Sequence, residues 1–548
     1  MPKMTPDQIK ATFAKARAAQ QAGKLDAAER GFAKLAAAAP QLAEVHFNLA
    51  EIHAKRGRFP QAAQSYEAAL KLRPAEPAIW VAYLMLASRH PNPKNFDILR
   101  ERAKPLLHKT PPFAYFEGLS RARMKDWTGA IARFETAVSG GFRSAEVLRN
   151  YAIALDELDR LAEALAQIDA ALELEPQNDV ILYQRAEHFR KMGDLASAKT
   201  AALKAIDAAP QMGGPYALYV SLGKVAADDP NIARMRKALA SKRAGDPDVT
   251  TLCAALAKAM EDTGETPQVF RYLKRGNDVA AKAFPYDPDA ARDLASRLRD
   301  IYLSVAEMPA PTSDTAPIFV TGAPRSGTSL VEQILSAHSS VAGGGELGLL
   351  QPGVAAVLQD ADTAALLGRL KGVADDFGAQ LTKLFPQASH VTDKSISTYS
   401  YIGLLHKVMP RARFILVRRD PRDNALSIYK NRFSDGQHRY SNDLRHVAFF
   451  LRQFEEFADF WRQHCPHAIF EIQYEDLIAD PEAKSRALVA AAGLEWEDAC
   501  LSFYNAKRSV KTLSSAQVRQ PIYASSVGAW RKYEAEMAPF LDAYGAID

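Results

Sequence analysis

The sequence predicts a helical repeat solenoid followed by an α/β domain built on a parallel sheet. Three observations predict it. Apolar positions recur every 34 residues through the first part of the chain; from Ala316 that pattern gives way to short apolar runs separated by helical stretches; and the first of those runs ends in a glycine-rich turn. At 548 residues the chain is too long for one core, so at least two packed units are expected.

The repeat comes first. Leu25, Phe59, Trp127, Leu161 and Leu195 are spaced by 34 or 68 residues, and each is followed three positions later by alanine: Ala28, Ala62, Ala130, Ala164 and Ala198. Seven positions after the lead residue stand Phe32, Tyr66, Phe134, Ile168 and Ala202, and fifteen after it Pro40, Pro74, Pro176 and Pro210. Gly23, Gly57 and Gly193 precede the lead by two, and small residues precede it by nine (Ala16, Ala50, Gly118, Ala152, Ala186), where a first helix must approach a second. This register resembles the tetratricopeptide repeat, a helix-turn-helix hairpin, and the periodic apolar positions are packing faces without chemistry. The unit that should lead at Pro93 reads as degenerate, since Pro91 and Pro93 are expected to prevent a regular helix and to break or bend the array.

The solenoid is assigned to residues 1–210. Residues 211–308 are a further helical, repeat-like connecting region, in which Gly264 to Asn277 looks like one more second helix; 309–317 (PAPTSDTAP from Pro309) is a linker; and 318–548 is the α/β domain.

Composition narrows the function classes. Apolar residues make up 48% and charged residues 24%, an ordinary globular mixture, and a net charge of +5 on 69 basic and 64 acidic residues is too balanced for nucleic-acid binding along the chain. Three dispersed cysteines, Cys253, Cys465 and Cys500, offer neither a disulfide framework nor a four-ligand zinc site, and fit a reducing compartment. The start, MPKMTPDQIK, lacks an apolar signal core, and the greasiest stretch, Ala78 to Ala87, is about half of a membrane span. A cytoplasmic protein with no membrane span is expected; nothing in the pattern fixes an oligomeric state.

The α/β domain should contain five strands, in PIFVTG, SVAGG, SHVTDK, RFILVRRD and HAIFEIQ. The first runs into Gly322-Ala-Pro-Arg-Ser-Gly-Thr-Ser329, which has the spacing of a P-loop with threonine in place of its lysine. Such a strand-to-helix turn points backbone N–H groups and the positive helix end at one anion. Without the lysine, and without an obvious strand-end aspartate for magnesium, a nucleotide or sugar kinase is disfavoured. The remaining polar residues fall after strand ends: Arg325 and Ser326 after the first, Glu346 after the second, Asp393 and Lys394 at the third, Arg418, Arg419 and Ser427 at or after the fourth, Tyr474 at the fifth. In an open α/β sheet these positions converge on one edge, where ligands bind.

The loop PRSGTS and the segment RRDPRDNALS, with eight residues from Arg419 to Ser427, resemble the 5′- and 3′-phosphate motifs of sulfotransferases that use 3′-phosphoadenosine 5′-phosphosulfate (PAPS). With TDK at Thr392 to Lys394, YEDL at Tyr474 to Leu477 and SSAQVRQPIY at Ser514 to Tyr523, nearly the whole chain is similar to the bacterial tetratricopeptide-sulfotransferase family and, more distantly, to tyrosylprotein sulfotransferases. The resemblance implies a sulfotransferase domain over 318–548 with PAPS as co-substrate and no metal. It implies that Arg325, Ser326, Gly327, Thr328 and Ser329 hold the 5′ phosphosulfate and that Arg419 and Ser427 hold the 3′ phosphate. Tyr474 and the segment with Ser514, Ser515, Gln517, Val518 and Arg519 would close over the nucleotide. Glu346, twenty-one residues after Arg325, falls where tyrosylprotein sulfotransferases carry their base. Lys394 and Arg325 would neutralise the departing oxygen, and the implied acceptor is a protein or peptide tyrosine or a glycan, recruited by the repeats. Ile396 and Thr398 depart from the family's DKxPxN, and Ala529 stands where a basic residue is expected before Trp530. His338 is a second candidate base, with a packed histidine as its plainer reading. A repeat scaffold with a degenerate nucleotide domain is the non-enzymatic alternative.

Overall fold

A computed structural model describes residues 4–89, 93–243, 245–359, 363–433, 436–505 and 526–545. The chain divides into two compact units, Met1–Ala208 and Ala209–Asp548.

The first unit is six helical hairpins: α1 and α2 (Pro6–Gln21, Leu25–Ala38), α3 and α4 (Ala43–Lys55, Phe59–Leu72), α5 and α6 (Pro77–Ser88, Pro93–Leu107), α7 and α8 (Pro111–Arg123, Trp127–Ser139), α9 and α10 (Ala145–Glu157, Leu161–Leu174), α11 and α12 (Asp179–Met192, Leu195–Ala208). Every lead residue opens a second helix. The alanines three positions on and the residues seven positions on are all buried. At Gly118 a Cβ would come within 2.6 Å of the Phe134 ring, which is why the first helix is small there. The turn residue two before the lead takes a left-handed φ in five hairpins, +72° at Gly23, +70° at Gly57 and +83° at Gly193, and also +60° at Lys125 and +56° at Asp159. The turn geometry persists where the glycine does not.

The expectation that Pro91 and Pro93 prevent a regular helix here is corrected. α6 is a fifteen-residue helix with Pro93 as its first residue, a position whose N–H has no intrahelical partner to lose. Even Pro105 lies inside it. The unit looked degenerate because its sizes are exchanged: buried Leu84 stands at the small position, buried Phe96 at the alanine position and Arg100 at the aromatic one.

The second unit opens with five helices, α13 (Gly213–Ser221), α14 (Pro230–Ser241), α15 (Asp248–Asp262), α16 (Thr266–Ala283) and α17 (Pro288–Val305). There follow β1 (Ile318–Gly322), α18 (Thr328–Ser336), β2 (Val341–Gly343), α19 (Leu350–Gln359), α20 (Thr363–Leu384), β3 (His390–Asp393), α21 (Ile402–Val408), β4 (Arg413–Arg418), α22 (Pro421–Lys430), α23 (Leu444–His464), β5 (Ile469–Gln473), α24 (Tyr474–Ala479), α25 (Pro481–Ala491) and α26 (Ala538–Tyr544). All five expected strands form, in one parallel sheet of order β2-β3-β1-β4-β5. Alternation along β1 and β4 sends Phe319 and Phe414 to a core with α17, α19, α20, α21 and α23, and Ile318, Val320, Ile415 and Val417 to a core with α18 and α25.

The leading helices hold the sheet domain directly. Asn277 Nδ2 donates to Tyr429 O at 3.1 Å, and Phe270 stacks on Tyr429 with ring centres 5.7 Å apart. Glu261 pairs with Lys430 and accepts from Tyr533 Oη at 3.3 Å, so α15 and α16 brace the end of α22. Among the described residues no helix is long and apolar enough to cross a membrane. Burial pushes the thiols of Cys253, Cys465 and Cys500, all unpaired, up to about 11.

Candidate active site

β1 lies at the centre of the sheet, and its C-terminal end delivers Gly322 to the glycine-rich turn. Gly322 packs so closely on β4 that a Cβ would lie 2.5 Å from Val417 O. Arg325, with φ +66°, and Gly327, with φ +108°, are both left-handed, and Gly327 is the N-cap of α18. A Cβ at Gly327 would sit 2.4 Å from the Tyr474 ring. Backbone held this way at a helix start is able to cradle an anion, and the strain sits where a ligand would repay it. Thr328 and Ser329 begin the helix, both buried.

The segment after β4 closes on this loop. Arg419 donates from Nη1 to Arg325 O at 2.9 Å and from Nη2 to Ser526 O at 2.8 Å, and its guanidinium lies 4.8 Å over the Tyr474 ring. Arg325 Nε donates to Ser427 Oγ at 3.2 Å, and Asn424 Nδ2 donates to Pro324 O at 2.7 Å. Tyr474 Oη and Ser526 Oγ are 3.0 Å apart. Asp423 accepts from Gly528 N at 2.6 Å and from Trp530 N at 3.0 Å. Arg325, Arg419, Ser427 and Tyr474 therefore share one hydrogen-bonded cluster. Ser514, Ser515, Gln517, Val518, Arg519 and Tyr523 lie outside the described residues.

A second cluster forms at the ends of β2 and β3. Lys394 Nζ donates to Glu346 Oε1 at 2.6 Å. Behind them Glu332 of α18, 4% exposed, accepts from Gly345 N at 2.7 Å and from Thr392 Oγ1 at 3.1 Å. Burial raises the Glu332 carboxyl above its ordinary range, with the Lys394 charge opposing the rise. Asp393 is also raised by burial, and accepts from Ser395 N at 3.0 Å and Ser395 Oγ at 2.5 Å.

Not every strand-end residue joins the site. Arg418 turns to Glu455 and to Glu471 at 3.4 Å. His338 is packed: its Nε2 is 2.9 Å from Glu495 O and its Nδ1 2.8 Å from Ser340 Oγ. Ile396 offers its carbonyl to Thr321 Oγ1 at 2.7 Å, and Thr398 is buried. Beside Ala529, the Trp530 ring carries Arg422 at 4.8 Å and Arg531 at 5.4 Å. Glu332, Asp423 and Asn424 were not singled out by sequence reasoning. Glu332 could have been: it is a carboxylate on a helix face whose neighbours Val331, Ile334 and Leu335 are all buried.

Two buried polar atoms bear on what this site holds. Ser326 is 0% exposed, and its Oγ, like Arg419 Nε, has no hydrogen-bond partner among the described residues. Orphaned donors in a buried cradle cost free energy unless a ligand meets them, and both are suited to an anion's oxygens. The residues present thus fit a phosphorylated, sulfated nucleotide. No group of three or more metal-ligating side chains forms among the described residues.

Residues 317–498 match the sulfotransferase family, and residues 13–77 and 116–179 match the tetratricopeptide repeat. An uncharacterized protein of Aquifex aeolicus is 31% identical over 308 residues, which are 52% of this chain and 40% of that one. Protein-tyrosine sulfotransferase 1 of Danio rerio is 25% identical over 238 residues, 39% of this chain and 65% of that one. The chain thus spans less than two thirds of either relative. The sulfotransferase domain of the Synechococcus olefin synthase is 21% identical, with a TM-score of 0.29 over 41% of this chain and 89% of that one. The chain combines tetratricopeptide repeats with a sulfotransferase domain and is distantly similar to protein-tyrosine sulfotransferases.

Proposed function

We propose that the protein transfers a sulfuryl group from PAPS to a hydroxyl acceptor, a protein or peptide tyrosine or a glycan, and that the repeats recruit the acceptor. The observation that carries this reading is the cluster in which Arg419 and Ser427 grip the Arg325 loop while Ser326 Oγ and Arg419 Nε find no partner among the described residues. The sulfotransferase match and the similarity to protein-tyrosine sulfotransferases support it.

Residues Arg325 to Ser329 would hold the 5′ phosphosulfate on the start of α18, and Arg419 with Ser427 the 3′ phosphate. Tyr474, stacked on Arg419, would wall the nucleotide. When bound, PAPS supplies the sulfuryl group on a leaving phosphate oxygen. The acceptor oxygen forms a bond to sulfur as the bond from sulfur to that oxygen breaks, and the acceptor's proton passes to a Glu346 carboxylate oxygen. Lys394 and Arg325 stabilise the charge left on the departing nucleotide, so their work is positioning plus electrostatics. Glu346, half-exposed, can face an incoming hydroxyl, whereas Lys394 is buried and fixed.

The test combines calorimetry of 3′-phosphoadenosine 5′-phosphate (PAP) binding with transfer of radiolabelled sulfate from PAPS to a panel of tyrosine peptides, glycans and small phenols. Label on one panel member and PAP binding are expected. PAP binding without transfer would favour the scaffold, and label from ATP instead would favour a kinase.

A further inference from the structure

We propose that Glu332 is a positioning residue for the reaction: a buried carboxylate that ties the helix behind the anion loop to the two strand-end groups, Glu346 and Lys394. The inference rests on the sulfotransferase reading above and deepens it.

Glu346 sits on a loop whose glycine run is held through its backbone rather than by side chains of its own. It follows the three-residue edge strand β2 and the run Gly343-Gly344-Gly345, and Gly345 has φ +65° with nothing within 4 Å of where a Cβ would be. Three glycines supply no side chain to pack and give the backbone wide freedom. Glu332 supplies a side-chain restraint from another element, since its carboxylate accepts the N–H of Gly345, the residue directly before Glu346. The same carboxylate accepts the hydroxyl of Thr392, two residues before Lys394. The ring closes through the backbone: Lys394 N donates to Gly345 O at 2.8 Å, and Gly344 N donates to Thr392 O at 3.1 Å and to Thr392 Oγ1 at 3.2 Å. One side chain thus sets the base loop against the lysine strand, and it does so from α18, whose N-terminus is the anion site.

A carboxylate is a costly choice for this position unless it has work to do. Val331, Ile334 and Leu335 around it are fully buried, and burying a charge among them is unfavourable without partners. The charged groups facing it are Lys394, which attracts it, and Asp393, which repels it.

The experiment compares Glu332→Leu, Thr392→Val and Thr392→Ser with the full-length wild type, using PAP calorimetry, transfer kinetics on the panel member that the wild type labels, and hydrogen exchange of residues 340–349. Both donors reach the same oxygen, Oε1, so leucine, which offers no acceptor at all, removes both bonds at similar size, and valine removes the hydroxyl while keeping the shape. Both are expected to lower kcat by roughly 10-fold to 100-fold, to leave PAP affinity and the acceptor KM within about threefold, and to speed exchange at Gly345; serine should restore near wild-type turnover. Should the leucine variant misfold, the valine and serine pair carries the comparison. A kcat within threefold of wild type in both loss variants, a parallel loss of PAP binding, or equal defects in the serine and valine variants would each overturn the positioning role while leaving the sulfotransferase reading intact. A wild type that transfers no label overturns both.

Discussion

Lys394 and Glu346 form an ion pair, Nζ to Oε1 2.6 Å, in which the lysine side chain is 1% exposed and the glutamate 53%. An ammonium that deep cannot swing away, while a half-exposed carboxylate can turn to a substrate at little cost. In the proposed reaction the asymmetry would give the two groups different duties, the fixed lysine at the departing oxygen and the freer glutamate at the acceptor.

Glu346→Gln should therefore keep PAP affinity within a few fold and reduce turnover by roughly 100-fold to 10,000-fold, the usual worth of a general base. Single-turnover transfer measured beside calorimetry separates the two effects. Turnover within a few fold of wild type would move the base elsewhere.

Arg419→Ala removes one hydrogen bond to the loop, at Arg325 O, one to Ser526 O and the stack on Tyr474 as well as a proposed phosphate contact. With charge-assisted bonds worth about 1.5 to 3 kcal/mol, PAP should bind roughly 10-fold to 100-fold more weakly. Unchanged affinity in a folded variant would strike out the 3′-phosphate assignment.

Gly327→Ala meets both a left-handed φ of +108° and the Tyr474 ring. The strain is on the order of 1 to 3 kcal/mol, seen as a lower thermal midpoint with weakened PAP binding. A variant that melts and binds like wild type would show that the loop relaxes freely.

Turnover should survive a chelator, since Lys394 and Arg325 supply the positive charge that a metal would otherwise bring. Activity lost to EDTA and regained with magnesium would count for the kinase reading.

Two truncations distinguish the helices. Deleting residues 1–208 should leave a folded protein that binds PAP, transfers slowly to a small phenol and shows a raised KM for a macromolecular acceptor. Deleting residues 1–308 also removes Glu261, Phe270 and Asn277 from α22 and Tyr533, and should abolish PAP binding. If the shorter fragment binds PAP normally, the bracing of α22 by α15 and α16 is dispensable.

Much of this was legible in the sequence for a physical reason: a periodic core writes itself as periodic residues. The alanines at Ala28, Ala62 and Ala130 stand at the same position of the first, second and fourth hairpins, and the five strands alternate with helices as a parallel sheet must. Pro93 misled because a proline that breaks a helix interior is welcome at its first turn. Arg418 and Arg419 are neighbours with identical chemistry, and only the fold decides that one faces Glu455 while the other reaches the loop. The bracing of α22 was invisible because Asn277 and Tyr429 are 152 residues apart, beyond any local pattern. Glu332 carried a faint signal, a carboxylate among the apolar Val331, Ile334 and Leu335, but its partners Gly345 and Thr392 lie on other elements that only the fold brings to it.

The three thiols give experimenters a practical opening. Each is raised to about 11 by burial, so little of any is present as the reactive thiolate near neutral pH. A cysteine introduced at Met124, which is 69% exposed, should outpace them all with a maleimide dye. Fluorophores could then be attached without first removing the native cysteines, and the emission of a single site could report when a macromolecular acceptor arrives at the repeats.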